Sequence, residues 1–162
     1  MKTIYLAGGC FWGVEGYFAQ LEGIIDTTVG YANGRTEVTS YELIGATDHA
    51  ETIELTYDPK VISLDTILQH YFRIIDPFSV NQQGNDRGRQ YRTGIFYRDE
   101  ADATLAQGYL DSISHSYGKE PAVILEPLTH FIDAEDYHQD YLAKNPNGYC
   151  HIDLNLAKVP LT

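Results

Sequence analysis

Residues 8–15 have the sequence Gly-Gly-Cys-Phe-Trp-Gly-Val-Glu and place Cys10 where a strand becomes a helix. Residues 3–7 are predicted to form a short buried strand, which the two glycines end. From Phe11 to Leu21, apolar side chains recur at helical spacing. Cys10 is therefore expected in the first turn of a helix, where free backbone N–H groups and the helix dipole favour a thiolate nucleophile. The alternative is a buried cysteine that packs as a small apolar side chain.

The composition indicates a globular protein. The chain has 162 residues, 43% of them hydrophobic, and this length fits one domain over residues 1–162. Eleven basic and 23 acidic side chains give a net charge of −12, which repels phosphate backbones. No apolar run approaches the ~20 residues of a membrane span, and the N-terminus lacks a signal-peptide pattern. We therefore expect a cytoplasmic protein that binds neither nucleic acid nor membrane. A monomer is expected as well, although the composition does not decide the oligomeric state.

The two cysteines, Cys10 and Cys150, are too few for a disulfide scaffold. A reducing cytoplasm disfavours a permanent bridge, so any pairing between them is expected to be transient and part of the chemistry. The sequence has no zinc ligand set at the usual spacing and no G-x-G-x-x-G fingerprint. We therefore expect no metal site and no bound cofactor.

The remaining pattern predicts an α+β fold. Strands are predicted over residues 23–32, 51–57, 91–97 and 122–126, and helices over residues 64–75 and 99–117. Residues 36–50 and 78–90 are expected to be loops, the first with at most one turn of helix. Strand, helix, strand, strand, helix, strand over residues 3–97 is the split βαβ order. The expected fold is a two-layer mixed sheet with helices, a ferredoxin-like core and a loop-rich C-terminal extension from residue 131.

Several other side chains carry chemistry only in combination, because each has an ordinary role when considered singly. Glu51 begins a strand, where a glutamate is usually solvated. Asp86 follows Gln-Gly-Asn and is typical of a turn. Tyr41 and Tyr91 are two of thirteen tyrosines, and His49 is expected to form structural hydrogen bonds. An acidic cluster is expected to be a solvated face rather than a cation site: Asp133, Glu135, Asp136, His138 and Asp140.

Read in order, the motifs of this chain resemble those of the A-type peptide-methionine sulfoxide reductases. They are GCFWGVE (9–15), VGYANG (29–34), TSYELIGATDHAE (39–51), YDP (57–59), NQQGNDRGRQYR (81–92) and KNPNGYC (144–150). GCFW together with GND and QYR is highly specific, and the resemblance covers about residues 4–150. These reductases reverse the oxidation of methionine.

The resemblance implies a role for each matching side chain. Cys10 would attack the sulfur of a methionine S-sulfoxide, and Glu51, kept neutral by an apolar pocket, would protonate its oxygen. Tyr41 and Tyr91 would donate hydrogen bonds to the same oxygen. Asp86 would help to set up the site or hold the substrate backbone.

The resemblance further implies a substrate pocket and a thiol relay. Phe11 and Trp12 would wall the pocket for the substrate methyl group, while Glu15 would stabilise its own helix or loop. Attack by Cys10 would leave a sulfenic acid, which Cys150 would resolve as a disulfide. Thioredoxin would then reduce the disulfide, and oxidised proteins or free methionine sulfoxide would be the substrates.

The sequence departs from the family pattern in three places and leaves two rival functions open. The departures are residues 75–79 (Ile-Asp-Pro-Phe-Ser), Asp48, and the segment with Arg89 that ends in Thr93. They affect expected substrate contacts rather than the reaction. One rival is a non-enzymatic module that binds oxidised or apolar peptides through Phe11 and Trp12. The other is a cysteine hydrolase, for which His49 would be the base.

Overall fold

The strand Lys2–Gly8 lies inside a six-stranded mixed sheet in the computed structural model, which describes residues 1–161. The strands are β1 (Lys2–Gly8), β2 (Ile24–Ala32), β3 (Ala50–Tyr57), β4 (Gln82–Gln83), β5 (Asp86–Arg87), β6 (Thr93–Tyr97), β7 (Ile124–Pro127) and β8 (Phe131–Asp133). The helices are α1 (Phe11–Phe18), α2 (Ile44–Thr47), α3 (Leu64–Ile74), α4 (Glu100–Tyr117) and α5 (Tyr141–Lys144). Short 3₁₀ turns occupy Arg89–Tyr91, Asp136–His138 and Leu154–Lys158.

The order of strands in the sheet is β7-β6-β1-β3-β2-β8. The four central strands are antiparallel neighbours, with β1 hydrogen-bonded to β3 on one side and to β6 on the other. This arrangement confirms the expected ferredoxin-like core, because β1 and β2 flank β3 as the split βαβ order requires. Strand β7 adds in parallel to β6 and makes the sheet mixed, and β8 adds to the edge of β2.

The two faces of β1 belong to two apolar clusters, as expected for a strand whose side chains alternate. Ile4 and Leu6 pack in the main core, which also holds the buried sides of α1 and α3. Tyr5 and Ala7 point to the opposite face and pack in a smaller cluster with Phe96. Each large apolar side chain buried in this way stabilises the fold by about 1.5–3 kcal/mol.

The structure corrects the predicted elements at four places. Helix α1 ends at Phe18 rather than near residue 21, because Gly23, with a φ of +95°, leads the chain into β2. Strand β6 begins at Thr93, so Tyr91 lies in a 3₁₀ turn instead of a strand. The predicted 78–90 loop contains the β4-β5 hairpin. The C-terminal extension includes β8, which is only three residues long and too short to give a periodic signal.

None of the helices within residues 1–161 combines the length and the hydropathy that crossing a bilayer requires. The longest, α4, begins at its cap Asp99, whose carboxylate accepts from the backbone N–H of Ala101.

Candidate active site

Cys10 lies between β1 and α1, at the N-cap position of the helix, and its side chain is buried. Gly9 makes the turn with a φ of +91°, a conformation that favours glycine. The turn also needs a residue without a side chain, since a Cβ on Gly9 would lie 2.7 Å from Gln83 Cβ. Gly9 therefore makes the turn that places Cys10 at the start of α1.

Glu51 lies in β3, and its side chain is buried rather than solvated, with 1% exposure. Its Oε1 accepts a hydrogen bond of 3.2 Å from the backbone N–H of Phe11, the first residue of α1. Its Oε2 is buried and has no hydrogen-bond partner among the described residues. Burial, followed by the charge of Asp86, raises the pKa of Glu51 to about 8. A carboxylic acid that is neutral at pH 7 therefore lies beside Cys10.

Tyr41 and Tyr91 come from two different loops and converge on the same place. Burial raises the pKa of both phenols, and the Glu51 carboxylate is the second cause in each case. Cys10 also contributes to both shifts. The structure thus brings together the cysteine, the carboxyl group and the two phenols that the sequence motifs single out.

The pKa of Cys10 contradicts the expectation of an easily ionised thiol. The N–H groups of Trp12 and Gly13 face the sulfur and lower its pKa, as expected at a helix start. Burial and then the Glu51 carboxylate outweigh them, and the pKa of Cys10 lies well above its ordinary value. The sequence pattern correctly predicts the helix dipole but carries no information on how far the thiol is removed from water.

Phe11 and Trp12 do not share one environment. The ring of Phe11 is 1% exposed and packs against Tyr31 and His138, with ring centroids 5.7 Å and 5.2 Å away. Trp12 is half-buried, and its ring stacks on Tyr141 with centroids 3.8 Å apart. Trp12 therefore presents the open aromatic surface of the pair, while Phe11 supports it from the core.

Sequence reasoning missed His138, which it placed in a solvated acidic cluster. The side chain is 1% exposed, its ring lies 4.5 Å from that of Tyr41, and its Nδ1 accepts a 3.0 Å hydrogen bond from the Trp12 indole. Glu135 of the same cluster accepts from the Tyr31 hydroxyl at 2.8 Å and from the backbone N–H of Tyr41 at 3.2 Å. The tyrosine- and histidine-rich composition of residues 137–141 is the only sequence signal that could have revealed these roles.

Three members of the same cluster are exposed, as expected: Asp133, Asp136 and Asp140. Within residues 1–161, no group of three or more histidine, cysteine, aspartate or glutamate side chains is placed to hold a metal ion.

Cys150 lies in the C-terminal segment and is partly buried, and both cysteines are free thiols. Its Sγ donates to the carbonyl oxygen of Ile152 at 3.0 Å. The sulfur lies against α1, since a Cβ on Gly13 would be 3.2 Å from it. Gly13 thus meets both sulfurs, with its N–H facing Cys10 and its bare Cα facing Cys150.

Asp86 lies in β5 and links the β4-β5 hairpin to the C-terminal segment. Its Oδ2 accepts a hydrogen bond of 3.0 Å from the hydroxyl of Tyr149, the residue before Cys150. The turn predicted from its sequence context is present as this hairpin, in which Asp86 pairs with Gln83.

Two of the departures from the family pattern contact each other. Arg89 binds both carboxylate oxygens of Asp48, at 2.6 Å and 3.1 Å. Because Asp48 lies three residues before Glu51 and Arg89 two before Tyr91, the ion pair links the two segments that carry these groups. Ile75 packs against β1, where a Cβ on Gly8 would meet its side chain at 3.0 Å.

His49 is fully buried and both of its ring nitrogens are engaged away from Cys10. Nδ1 is 2.8 Å from the hydroxyl of Thr47, and Nε2 is 2.8 Å from Nε2 of His130. This confirms the structural role expected for His49 and disfavours the hydrolase alternative, which needs a base at the thiol.

Comparison with known proteins identifies the family to which the chain belongs. A family model described as peptide methionine sulfoxide reductase matches residues 2–161. The chain belongs to this family. The protein is therefore an enzyme, an oxidoreductase that reduces methionine sulfoxide by thiol chemistry, and the resemblance inferred from the motifs is confirmed at this level.

Solved structures of reductases agree with the fold. Mxr1 from Saccharomyces cerevisiae in reduced form is 43% identical, with a TM-score of 0.84 over 92% of this chain and 88% of the yeast chain. Methionine sulfoxide reductase A of Corynebacterium diphtheriae is 32% identical, with a TM-score of 0.82 over 92% of this chain and 77% of that chain.

A third similar structure is Mxr1 in complex with Trx2. It is 34% identical in the aligned region, with a TM-score of 0.61 over 86% of this chain and 84% of that chain. The structure of this reductase, with two free thiols, is thus more similar to the reduced yeast protein than to the same protein in its complex.

Proposed function

We propose that this reductase acts on the S epimer of methionine sulfoxide, in proteins or as the free amino acid, with Cys10 as nucleophile and Glu51 as proton donor. The observation that carries the proposal is the Oε2 atom of Glu51, which is buried, has no hydrogen-bond partner within residues 1–161 and belongs to a carboxyl group with a pKa of about 8. A neutral carboxylic acid can donate its proton to the sulfoxide oxygen as negative charge develops there.

The other side chains of the site would bind and orient the substrate. Tyr41 and Tyr91 would donate hydrogen bonds to the sulfoxide oxygen, since both phenols are held un-ionised beside Glu51. Trp12, supported by Phe11, would contact the methyl group, and Asp86 would hold the substrate backbone or set up the site. The net reaction transfers the oxygen atom from the substrate sulfur to Cys10, which leaves methionine and a Cys10 sulfenic acid.

The position of Cys150 supports a relay. Gly13 has no side chain and lets the Cys150 sulfur approach the start of α1, where the N–H of the same glycine faces Cys10. Cys150 would condense with the sulfenic acid to give a Cys10–Cys150 disulfide and water. Both thiols therefore lie at the start of α1, Cys10 as its N-cap and Cys150 packed against Gly13, as such a relay requires.

Thioredoxin would return the disulfide to two thiols by exchange, and no bound cofactor is needed. The yeast relative crystallised with Trx2 supports this partner. We further propose that residues 1–162 act as one domain and as a monomer in the cytoplasm, because a thiol enzyme with two free cysteines fits a reducing compartment.

The test is a single turnover with each epimer of a methionine sulfoxide dipeptide and the pre-reduced protein, counting free thiols before and after. We expect the S epimer to yield about one methionine per chain with the loss of two thiols, and the R epimer to remain intact. The Cys10→Ala variant is the control that separates the reaction from binding. Equal consumption of both epimers would contradict the stereochemical proposal, and consumption by Cys10→Ala would contradict the assigned nucleophile.

A further inference from the structure

His151 follows Cys150 directly, and its side chain is only 4% exposed. The ring occupies a slot that exists because three glycines line it. A Cβ on Gly9 would lie 2.8 Å from Nε2, one on Gly13 would lie 3.2 Å from Nδ1, and one on Gly84 would lie 3.2 Å from His151 Cβ. The chain therefore leaves room for this imidazole beside the turn that carries Cys10.

The hydrogen bonds of His151 define its protonation. Nε2 lies 3.0 Å from the carbonyl oxygen of Gly8, and because a carbonyl only accepts, Nε2 carries the proton. In the neutral ring Nδ1 is then a bare lone pair. It is buried and has no hydrogen-bond partner among residues 1–161. Buried polar atoms are nearly always hydrogen-bonded, so this basic atom needs an explanation.

The lone pair and the resolving thiol face the same side of Gly13. The same methyl position on Gly13 is 3.2 Å from His151 Nδ1 and 3.2 Å from Cys150 Sγ, so the two atoms lie within twice that distance of each other. Other groups facing the ring come from several elements. Asp86 of β5 has its Oδ2 4.0 Å from Nδ1, Tyr149 donates to that same oxygen, and Cys10 lies across Gly13.

We propose that His151 is the proton acceptor for Cys150 when this thiol attacks the Cys10 sulfenic acid, a role that rests on the proposed function. The proton of the Cys150 thiol passes to Nδ1, and the thiolate attacks the Cys10 sulfur. The S–S bond forms as the S–O bond breaks, and the leaving hydroxide takes the proton from the imidazolium as water. No further oxidant or reductant is needed, since the sulfenic sulfur is reduced as the thiol is oxidised.

The surroundings suit this role. Burial raises the pKa of Cys150, so the thiol does not supply its own thiolate readily. Burial also lowers the pKa of His151, which keeps the ring neutral and able to accept a proton at pH 7. The carboxylate of Asp86 would stabilise the imidazolium while it exists, as an aspartate does for a histidine base. To use the base, the Cys150 sulfur must leave the Ile152 carbonyl oxygen and approach Nδ1, because the two atoms are not hydrogen-bonded in this structure.

The test compares His151→Gln with His115→Gln, a substitution of an exposed histidine in α4 that serves as the matched control. Glutamine keeps an N–H for the Gly8 carbonyl but has no basic atom, so it separates proton transfer from anchoring. After one turnover with a methionine sulfoxide dipeptide, the sulfenic acid is trapped with dimedone and the disulfide is counted by mass spectrometry. The rate of disulfide formation is divided by the methionine released in the same sample.

We expect disulfide formation per methionine to fall by roughly 100-fold in His151→Gln, the scale of general base catalysis, with trapped sulfenic acid in its place. His115→Gln should match the wild type. Disulfide formation in His151→Gln within twofold of the wild type would overturn the proposal. A failure of the wild type to release methionine would instead overturn the proposed function, so the two outcomes are distinguishable.

A measurement on the wild type keeps the proposal testable if the variant does not fold. Its rate of disulfide formation should increase with pH and then level off, with an apparent pKa below that of an ordinary histidine, because the neutral ring is the active form. A rate that rises only in the alkaline range, where Cys150 itself ionises, would overturn the proposal.

Discussion

The two cysteines lie in regions that are held together in different ways. Cys10 follows β1, a strand with hydrogen-bonded neighbours on both sides, β3 and β6. Cys150 lies in a C-terminal stretch, residues 145–161, that contributes no strand to the sheet and whose longest regular element is the 3₁₀ turn Leu154–Lys158. The first region is joined to the sheet by backbone hydrogen bonds between strands, whereas the second packs on the molecule without such bonds.

Side chains, rather than a backbone ladder, attach the C-terminal stretch to the rest of the molecule. Tyr149 donates to Asp86, Gln20 Nε2 donates to the carbonyl oxygen of Leu154 at 3.0 Å, and Arg73 Nη1 donates to that of Val159 at 2.8 Å. Segments held by a few partly exposed hydrogen bonds open at lower free energy than core strands. We therefore expect the attacking thiol to be held in place and the resolving thiol, on residues 145–161 (the arm), to move more easily once the packing of the arm opens.

Glu15 was expected to stabilise its own helix or loop, and the structure shows that it also joins α1 to two other elements. Its Oε2 accepts from the Thr27 hydroxyl at 2.9 Å, and its Oε1 accepts from the backbone N–H of Asp140 at 2.8 Å. Burial raises the pKa of this carboxyl group to about 7. The side chain therefore joins α1 both to β2 and to the beginning of α5.

The largest expected effect separates the two thiols. Cys10→Ser should release no methionine, because the nucleophile is gone. Cys150→Ser should release about one methionine per chain and then stop in the presence of thioredoxin, because the sulfenic acid has no resolving thiol. Chromatography of methionine against time measures both results. Continued turnover by Cys150→Ser would show that reduction of the enzyme does not pass through the arm.

The next effect tests the fixed region alone. Glu51→Gln should slow methionine release by roughly 100-fold, since an amide cannot donate the proton. The matched control is Glu54→Gln, on the same strand, where the side chain accepts a hydrogen bond from the Tyr5 hydroxyl. Because protonated Glu51 is the active form, the ratio of wild-type to Glu51→Gln rates should be largest below pH 8 and shrink as the pH rises through the Glu51 pKa of about 8. A ratio that does not vary with pH would contradict the role of proton donor.

The same group should affect stability in a defined direction. The folded pKa of Glu51 is about 8 and an unfolded glutamate titrates near pH 4.5, so the folded protein binds more protons between these values. The free energy of unfolding should therefore fall as the pH rises from about 4.5 to 8, by a few kcal/mol from this group. Denaturant titrations at several pH values should show that this part of the pH dependence is absent in Glu51→Gln.

The fixed region was largely predictable from the sequence, because its signals are local and periodic. Alternation over residues 51–57 and the 3.6-residue spacing of residues 64–75 predict β3 and α3 nearly to their ends. The split βαβ order then yields the neighbours of β1 without further information. The expectation that Tyr41, Glu51 and Tyr91 share one site came from the motif resemblance. The structure brings these three side chains together.

The arm and the protonation states were not predictable in this way. Burial of His138 depends on contacts with Trp12 and Tyr41, more than 90 residues away along the chain, and no local pattern records such contacts. Strand β8 pairs with the edge of β2, and its three residues are too few for the alternation that predicts a strand, although Phe131 and Ile132 favour one. The high pKa of Cys10 likewise reflects desolvation by the whole fold, which a helix-start motif does not encode.

The smallest expected effect concerns the attachment of the arm. Arg73→Met removes guanidinium hydrogen bonds to the carbonyl oxygens of Leu156 and Val159 and to the Tyr17 hydroxyl, while its length preserves most of the packing. A loss of about 1–2 kcal/mol of local stability corresponds to amide exchange roughly 5–30-fold faster in residues 154–159. Hydrogen exchange with mass spectrometry measures it, and Arg98→Met, which removes an exposed arginine over the Tyr5 ring, is the control. Methionine release in the first turnover should change by less than about twofold, since Arg73 contacts none of the groups around Cys10. Faster exchange in β1 as well as in the arm would show that the two regions open together, and the contrast between a fixed attacking thiol and a movable resolving thiol would then be wrong.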